Sequence, residues 1–287
     1  MELKSILYHP GKMPTIPKVT QELIHSFSRE DVSIGEIASQ LATDPALTAK
    51  LLRLANSAYF HVSRTIGTVD DALRMLGFVM VRNLVLGSGM AAAFGNTPGM
   101  NLKQFWLYNL YTACGARWLA TTAGVNADLV FTAGLLHGIG QLQMHAVLPR
   151  EMASLDKQCH VLDAERAAVE KRILGFHHGE VAGELARIWH FPAPIAQALC
   201  DVPLPLAGTE FSETAAWVHV AAWWARTEIL SQDEAQSLAS YPEQVGARLG
   251  LDPNWVPAIA TRNNVAATSL IVPALREMTE GLDAMVA

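Results

Sequence analysis

Helix-start and helix-stop signals recur along this 287-residue chain, while runs alternating apolar with polar residues are nearly absent. That combination restricts the fold to packed helices. The clearest instance is DPALTAKLLRLAN, Asp44 to Asn56. Asp44 offers oxygens to the orphan amides of a first turn, and Pro45 takes the first helical position, where a missing N–H costs nothing. Leu47, Leu51 and Leu54 then follow at the i, i+4, i+7 spacing of a core-facing stripe. Upstream, SIGE at Ser33 to Glu36 fits a capping box and predicts a helix to about Thr43. Thr68 with Asp70 and Asp71 starts another helix, Ala72, Leu73 and Leu76 face inward, and Gly77 is placed to end it.

Glycine, proline and asparagine cluster in GNTPGMN, Gly95 to Asn101, which marks a boundary between helical stretches. Beyond it the pattern predicts helices over about 102–121, 128–145, 163–174, 179–190 and 193–201, a loop over Asp201 to Ser212, and helices over about 213–230, 242–250 and 254–283. The expected fold is all-α and two-lobed. An N-terminal helical lobe covers 1–95 and a second helical lobe 100–230, with 231–287 packing as helices on one flank.

Composition narrows the function. Charged residues make up 17% of the chain and apolar ones 51%, the balance of a well-buried globular protein. A net charge of −6 with no Lys/Arg block lacks the electrostatic footprint of a phosphate-backbone binder, so no nucleic acid partner is expected. Cys114, Cys159 and Cys200 are widely spaced with no CxxC, as in a reduced cytoplasmic protein, and no cofactor is implied. The N-terminus has no continuous apolar run of a secretion signal. LGFVMVRNLVLGSGMAAAFG carries Arg82 and Asn83 at its middle, and reads as a buried helix of a soluble protein rather than a membrane span.

Two stretches carry candidate chemistry. In FTAGLLHGIGQL, Phe131 to Leu142, His137 is either a metal ligand or a core histidine with one backbone partner. In GFHHGEVAG, Gly175 to Gly183, His177 and His178 either present one ring to a site and the other to solvent, or cap and dress a helix start. Two-metal phosphoester hydrolysis needs several neutral imidazoles plus a carboxylate that bridges the cations. His178 is a second candidate ligand, but the residue after His137 is Gly138, which has no donor atom. Trp217, Trp223 and Trp224 share one predicted helix; Trp217 and Trp224 lie on one face, lining a pocket or packing in the core. With His177 they are the candidate pocket or partner contacts. His145, His160 and His219 are scattered, with no spacing that implies a joint site.

MPTIPKVTQELI, followed by IASQLATDPALTAKLLRLANSAYFHVSRTIGTVDDALRMLGFVMVRNLVL, resembles the HDOD domain, a helical relative of the HD phosphohydrolases found in bacterial signalling proteins. The match runs from about Met13 to Leu86 and continues more loosely through FWLYNLYTACGARWLA, VFTAGLLHGIGQL and HHGEVAGELARIWHFP to about Ile229. The resemblance places the first ligand histidine of the HD relatives near Tyr108 and the His-Asp pair on His137 and Gly138. A later histidine falls on His178, a histidine pair near Cys200 and Asp201, and the last aspartate near Ala222. Gly140 and Gln141 stand where a Gly-Lys commonly follows the pair. Tyr108, His137, Gly138 and His178 are then vestigial metal-site positions in a degenerate HD-like lobe, and no metal is expected. The resemblance implies a non-catalytic signalling module that binds a small molecule or a protein partner. No appended receiver, cyclase or DNA-binding segment is expected. The rival expectation is a metal-dependent phosphohydrolase with an atypical site built on His137 and His178.

Overall fold

The sequence signals become helix boundaries in the computed structural model, which describes residues 3–9, 11, 13–26, 33–60, 62, 64–251 and 273–286. Its helices are α1 (Leu3–Leu7), α2 (Lys18–Ser26), α3 (Ile34–Ala42), α4 (Pro45–Ala55), α5 (Val69–Ala93), α6 (Leu102–Ala123), α7 (Ala127–Leu136), α8 (Ile139–Val147) and α9 (Pro149–Asp156). They continue as α10 (Arg166–Leu174), α11 (His178–Ile188), α12 (Ala193–Asp201), α13 (Glu213–Ile229), α14 (Glu234–Ala239), α15 (Glu243–Arg248) and α16 (Leu275–Met278). Among the described residues there is no strand, and the fold is all-α.

The caps form as the residue types dictate. Asp44 accepts from the amides of Ala46 and Leu47 at 2.9 and 3.1 Å. Ser33 accepts from the Glu36 amide at 3.1 Å, and Thr68 from the Asp71 amide at 3.1 Å. Leu47, Leu51 and Leu54 are buried in one core with Leu73, Val81 and Leu84 of α5. Gly77 ends the first run of α5 with φ +76°, a conformation that side chains resist, and a second helical run continues from it. This is the one helix among the described residues long and apolar enough to cross a membrane, and most of it is buried against its neighbours.

Three boundaries differ from the sequence reading. The run predicted over 128–145 is two helices, because the Gly138 amide leaves the helical ladder and donates to the Asn109 side chain at 3.1 Å. The run predicted from 163 begins at Arg166, and α1, α2, α9 and α14 have no counterpart in the sequence reading. Of the helix predicted over 254–283, residues 254–272 lie outside the described residues; the rest is α16 and a short 3₁₀ turn, Leu282–Met285, separated at Gly281 with φ +83°.

That last turn packs into the first core. Leu282 and Met285 are fully buried in the core that holds Leu51 and Leu84, and Arg53 pairs with Asp283. At the other end, Ile6, Leu7 and Ile16 share a core with Leu142 of α8 and Val181 of α11, and Gln143 donates to the Ile6 carbonyl at 3.1 Å. Both chain ends therefore pack on elements distant in sequence. In the second half, α6 lies along α7 and α13, while α11 packs on α8 and α12. Close approach is possible where side chains are missing: a Cβ on Gly134 of α7 would meet the Ala113 backbone of α6 at 2.8 Å, and one on Gly140 of α8 would overlap the His178 carbonyl.

Candidate functional site

This packing leaves a cavity of about 600 Å³, lined by Tyr108 of α6, His137 at the α7–α8 junction, His178 of α11, and His219, Ala222 and Arg226 of α13. The exposed Asp163 and Glu165 also line it. Four of the positions expected from the HD pattern, Tyr108, His137, His178 and Ala222, are thus brought to one place. Arg226 is not singled out by the sequence reading, and His219, read there as scattered, joins the same cavity. Their signal was the i, i+3, i+7 spacing of His219, Ala222 and Arg226, which sets all three on one face of α13.

His137 is buried, and its Nδ1 lies 2.7 Å from the Gly134 carbonyl oxygen. A carbonyl only accepts, so Nδ1 carries the proton and Nε2 is an acceptor. Among the described residues Nε2 has no partner. Burial pushes the ring's pKa down to about 4, the Gly134 bond opposes this, and His178 and His219 add to it. The ring is a core histidine with one backbone partner and also a wall of the cavity. Its edge-on neighbour is Tyr108, with centroids 5.2 Å apart.

His177 and His178 divide the two roles open to them. His177 caps α11, its Nδ1 accepting from the Glu180 amide at 3.4 Å while Glu180 accepts from the His177 amide at 2.9 Å. His178 turns to the cavity, with Nδ1 held at 2.7 Å by Glu170, which also accepts from the His178 amide at 2.8 Å. Glu170 is fully buried and receives Arg166 Nε at 2.8 Å, and Arg166 pairs in turn with Asp156 at 2.8 Å. Burial alone would raise the Glu170 pKa; the His178 ring and the Arg166 bond outweigh it and hold the carboxyl down at about 2. The ionised network fixes the His178 ring through one nitrogen and leaves the other for the cavity.

His219 repeats the pattern on α13, with Nδ1 2.8 Å from the Val202 carbonyl. Burial pushes it down to about 4, opposed by that bond, with Arg226 adding to the shift. The buried Tyr108 phenol is raised by desolvation, against which Arg226 acts through its charge and a side-chain hydrogen bond.

The space beside His137 decides whether a metal pair fits. A Cβ on Gly138 would meet Phe105 Cζ at 2.5 Å and Asn109 Oδ1 at 2.9 Å, so a bridging carboxylate has no room there. Asp201 lies at the end of α12 and accepts from Gln197 at 2.9 Å, away from the cavity. Among the described residues, no three His, Cys, Asp or Glu side chains group as a metal site. The donors do not fit a binuclear centre. Gly140 admits α11, and Gln141, in place of the lysine, donates to the Val161 carbonyl at 2.8 Å. Trp217 and Trp224, like His177, do not line this cavity: Trp217 packs with Ala116 and Val220, and Trp224 stands edge-on to Trp118.

Fold and site define an all-helical protein in which three histidines line one cavity. The HDOD domain model matches residues 13–201, and the chain belongs to the HDOD domain family. It is similar in structure to a candidate phosphohydrolase from Shewanella amazonensis SB2B, with 25% identity and a TM-score of 0.75, over 99% of this chain and 97% of that one. It shares its fold with a candidate signal transduction protein from Marinobacter aquaeolei VT8, with 22% identity and a TM-score of 0.67, over 95% of this chain and 58% of that one. An uncharacterized protein of Treponema pallidum (strain Nichols) is 26% identical over 196 residues, which is 65% of this chain and 37% of that relative's length.

Proposed function

We propose that the protein is a non-catalytic signalling module of the bacterial cytoplasm that works by binding a small molecule or a protein partner, without nucleic acid or membrane. The observation that carries this reading is the space beside His137, where Phe105 and Asn109 stand in the way of the carboxylate a metal pair needs. Loss of the bridging group removes the means of activating water while the cavity wall persists. The three unpaired cysteines suit a reducing compartment. The test combines elemental analysis of protein purified with manganese, iron or zinc supplied, hydrolysis of generic and cyclic-dinucleotide phosphodiesters, and capture of partners from the native host. Absence of turnover with a reproducible partner or ligand is expected. Two metal ions per chain with metal-dependent turnover would overturn the reading.

One observation favours a second reading, a metal-dependent phosphohydrolase with an atypical site. Three imidazoles anchored through Nδ1 share one cavity, and His178 is backed by a carboxylate, the outer-shell arrangement that orients metal-bound histidines. The same elemental analysis separates the two.

A further inference from the structure

Two buried arginines stand in this region, and they are compensated differently. Arg166 pairs with Asp156 and Glu170. Arg226 is 8% exposed and lines the cavity, yet among the described residues it forms no ion pair with a carboxylate; its side-chain partner is the uncharged Tyr108 phenol. Desolvating a cation without a counter-charge is costly, so a guanidinium kept this way at a cavity wall is a standing acceptor for an anion.

His137 gives an independent observation. Its Nε2 is buried, has no partner among the described residues and belongs to the same cavity wall. With Nδ1 spent on the Gly134 carbonyl, Nε2 seeks a hydrogen-bond donor. His219, with Nδ1 spent on Val202, offers a second acceptor of the same kind. The exposed Asp163 and Glu165, which also line the cavity, oppose multiply charged anions. A volume of about 600 Å³ is that of a small-molecule site.

We infer that the cavity binds a small organic monoanion bearing hydroxyl or amino hydrogens, its oxyanion held by Arg226 and its donors received by Nε2 of His137 and His219. This rests on the binding reading given above and supplies the chemical class it lacks. A neutral ligand leaves Arg226 uncompensated. A bare inorganic anion leaves both imidazole acceptors unused.

The experiment is isothermal titration of the intact chain with charge-matched pairs, adenosine 3′,5′-cyclic monophosphate against adenosine and gluconate against glucose. A monoanion is expected to bind at least about tenfold more tightly than its neutral counterpart, the scale of a charge-assisted hydrogen bond. Arg226→Met should remove that preference. Because this variant also changes a buried contact, Ala222→Glu gives a second reading: it sets a carboxylate one turn from Arg226 on the cavity face, and the internal pair should displace the anion with the arginine retained. Equal binding of both members of a pair, unchanged affinity in both variants, or no monoanion binding below about 1 mM overturns the inference. Hydrolysis of bis(p-nitrophenyl) phosphate by the wild-type chain with manganese would instead sink the non-catalytic reading, whatever the charge preference.

Discussion

Phe105 and Gly138 share one space: a Cβ placed on Gly138 would lie 2.5 Å from the Phe105 ring, and the Gly138 amide next to it is bound by Asn109. Gly138→Asp puts a carboxyl into this filled, buried site. Overpacking costs about 1–3 kcal/mol, and an unsatisfied buried polar group costs a similar amount. The expected result is a loss of at least about 1 kcal/mol in a denaturant melt and no phosphodiesterase activity with manganese or iron. Metal-dependent turnover at unchanged stability would show that the other ligands are present after all.

Acid should weaken the fold in a window set by two cavity histidines. His137 and His219 are both held near 4, below the ordinary 6.5. As pH falls, the unfolded chain takes up these protons first, so the stability they contribute is full above about 6.5 and is lost as pH drops through about 4. Urea melts between about pH 7 and pH 4.5 should show stability declining, with a shallower slope in His219→Asn. A flat profile in the wild-type protein across that window would contradict the assigned neutral rings.

Glu170→Gln tests the network behind His178. The carboxyl is held at about 2, below its ordinary 4.5, so its contribution is present above about 4.5 and lost as pH falls toward 2. At neutral pH the variant should lose about 3 kcal/mol, the low end for breaking a buried pair, since Arg166 keeps Asp156. A melt unchanged at pH 7 but differing at pH 3 would reverse the sign of this argument.

Leu51→Ala removes a fully buried side chain from the core shared by α4, α5 and the Leu282–Met285 turn. The expected cost is about 2–5 kcal/mol in a denaturant melt. A loss below about 0.5 kcal/mol would mean that the site collapses to fill the space.

The sequence by itself determined what acts over one or two turns. The Asp44 and Thr68 caps, Pro45 at a first helical position, the Leu47, Leu51 and Leu54 stripe and the break at Gly77 each depend on neighbours a few residues away, and each forms as the residue types require. The family string likewise brought out Tyr108, His137, His178 and Ala222. Only the tertiary structure decided what these residues meet. The cavity joins side chains from positions 108 to 245, and its chemistry depends on His219 and Arg226, whose seven-residue spacing looks like any other helical face. Glu170 and Arg166 stand one turn apart on α10, and only the packing shows that both are buried behind His178. The absence of a donor at Gly138 was visible in the sequence, whereas the lack of room for one was not, because Phe105 and Asn109 reach that space from another helix. Local hydrogen bonding and periodicity are written in short segments; counter-charges and occupied volume come from whichever elements the packed core brings together.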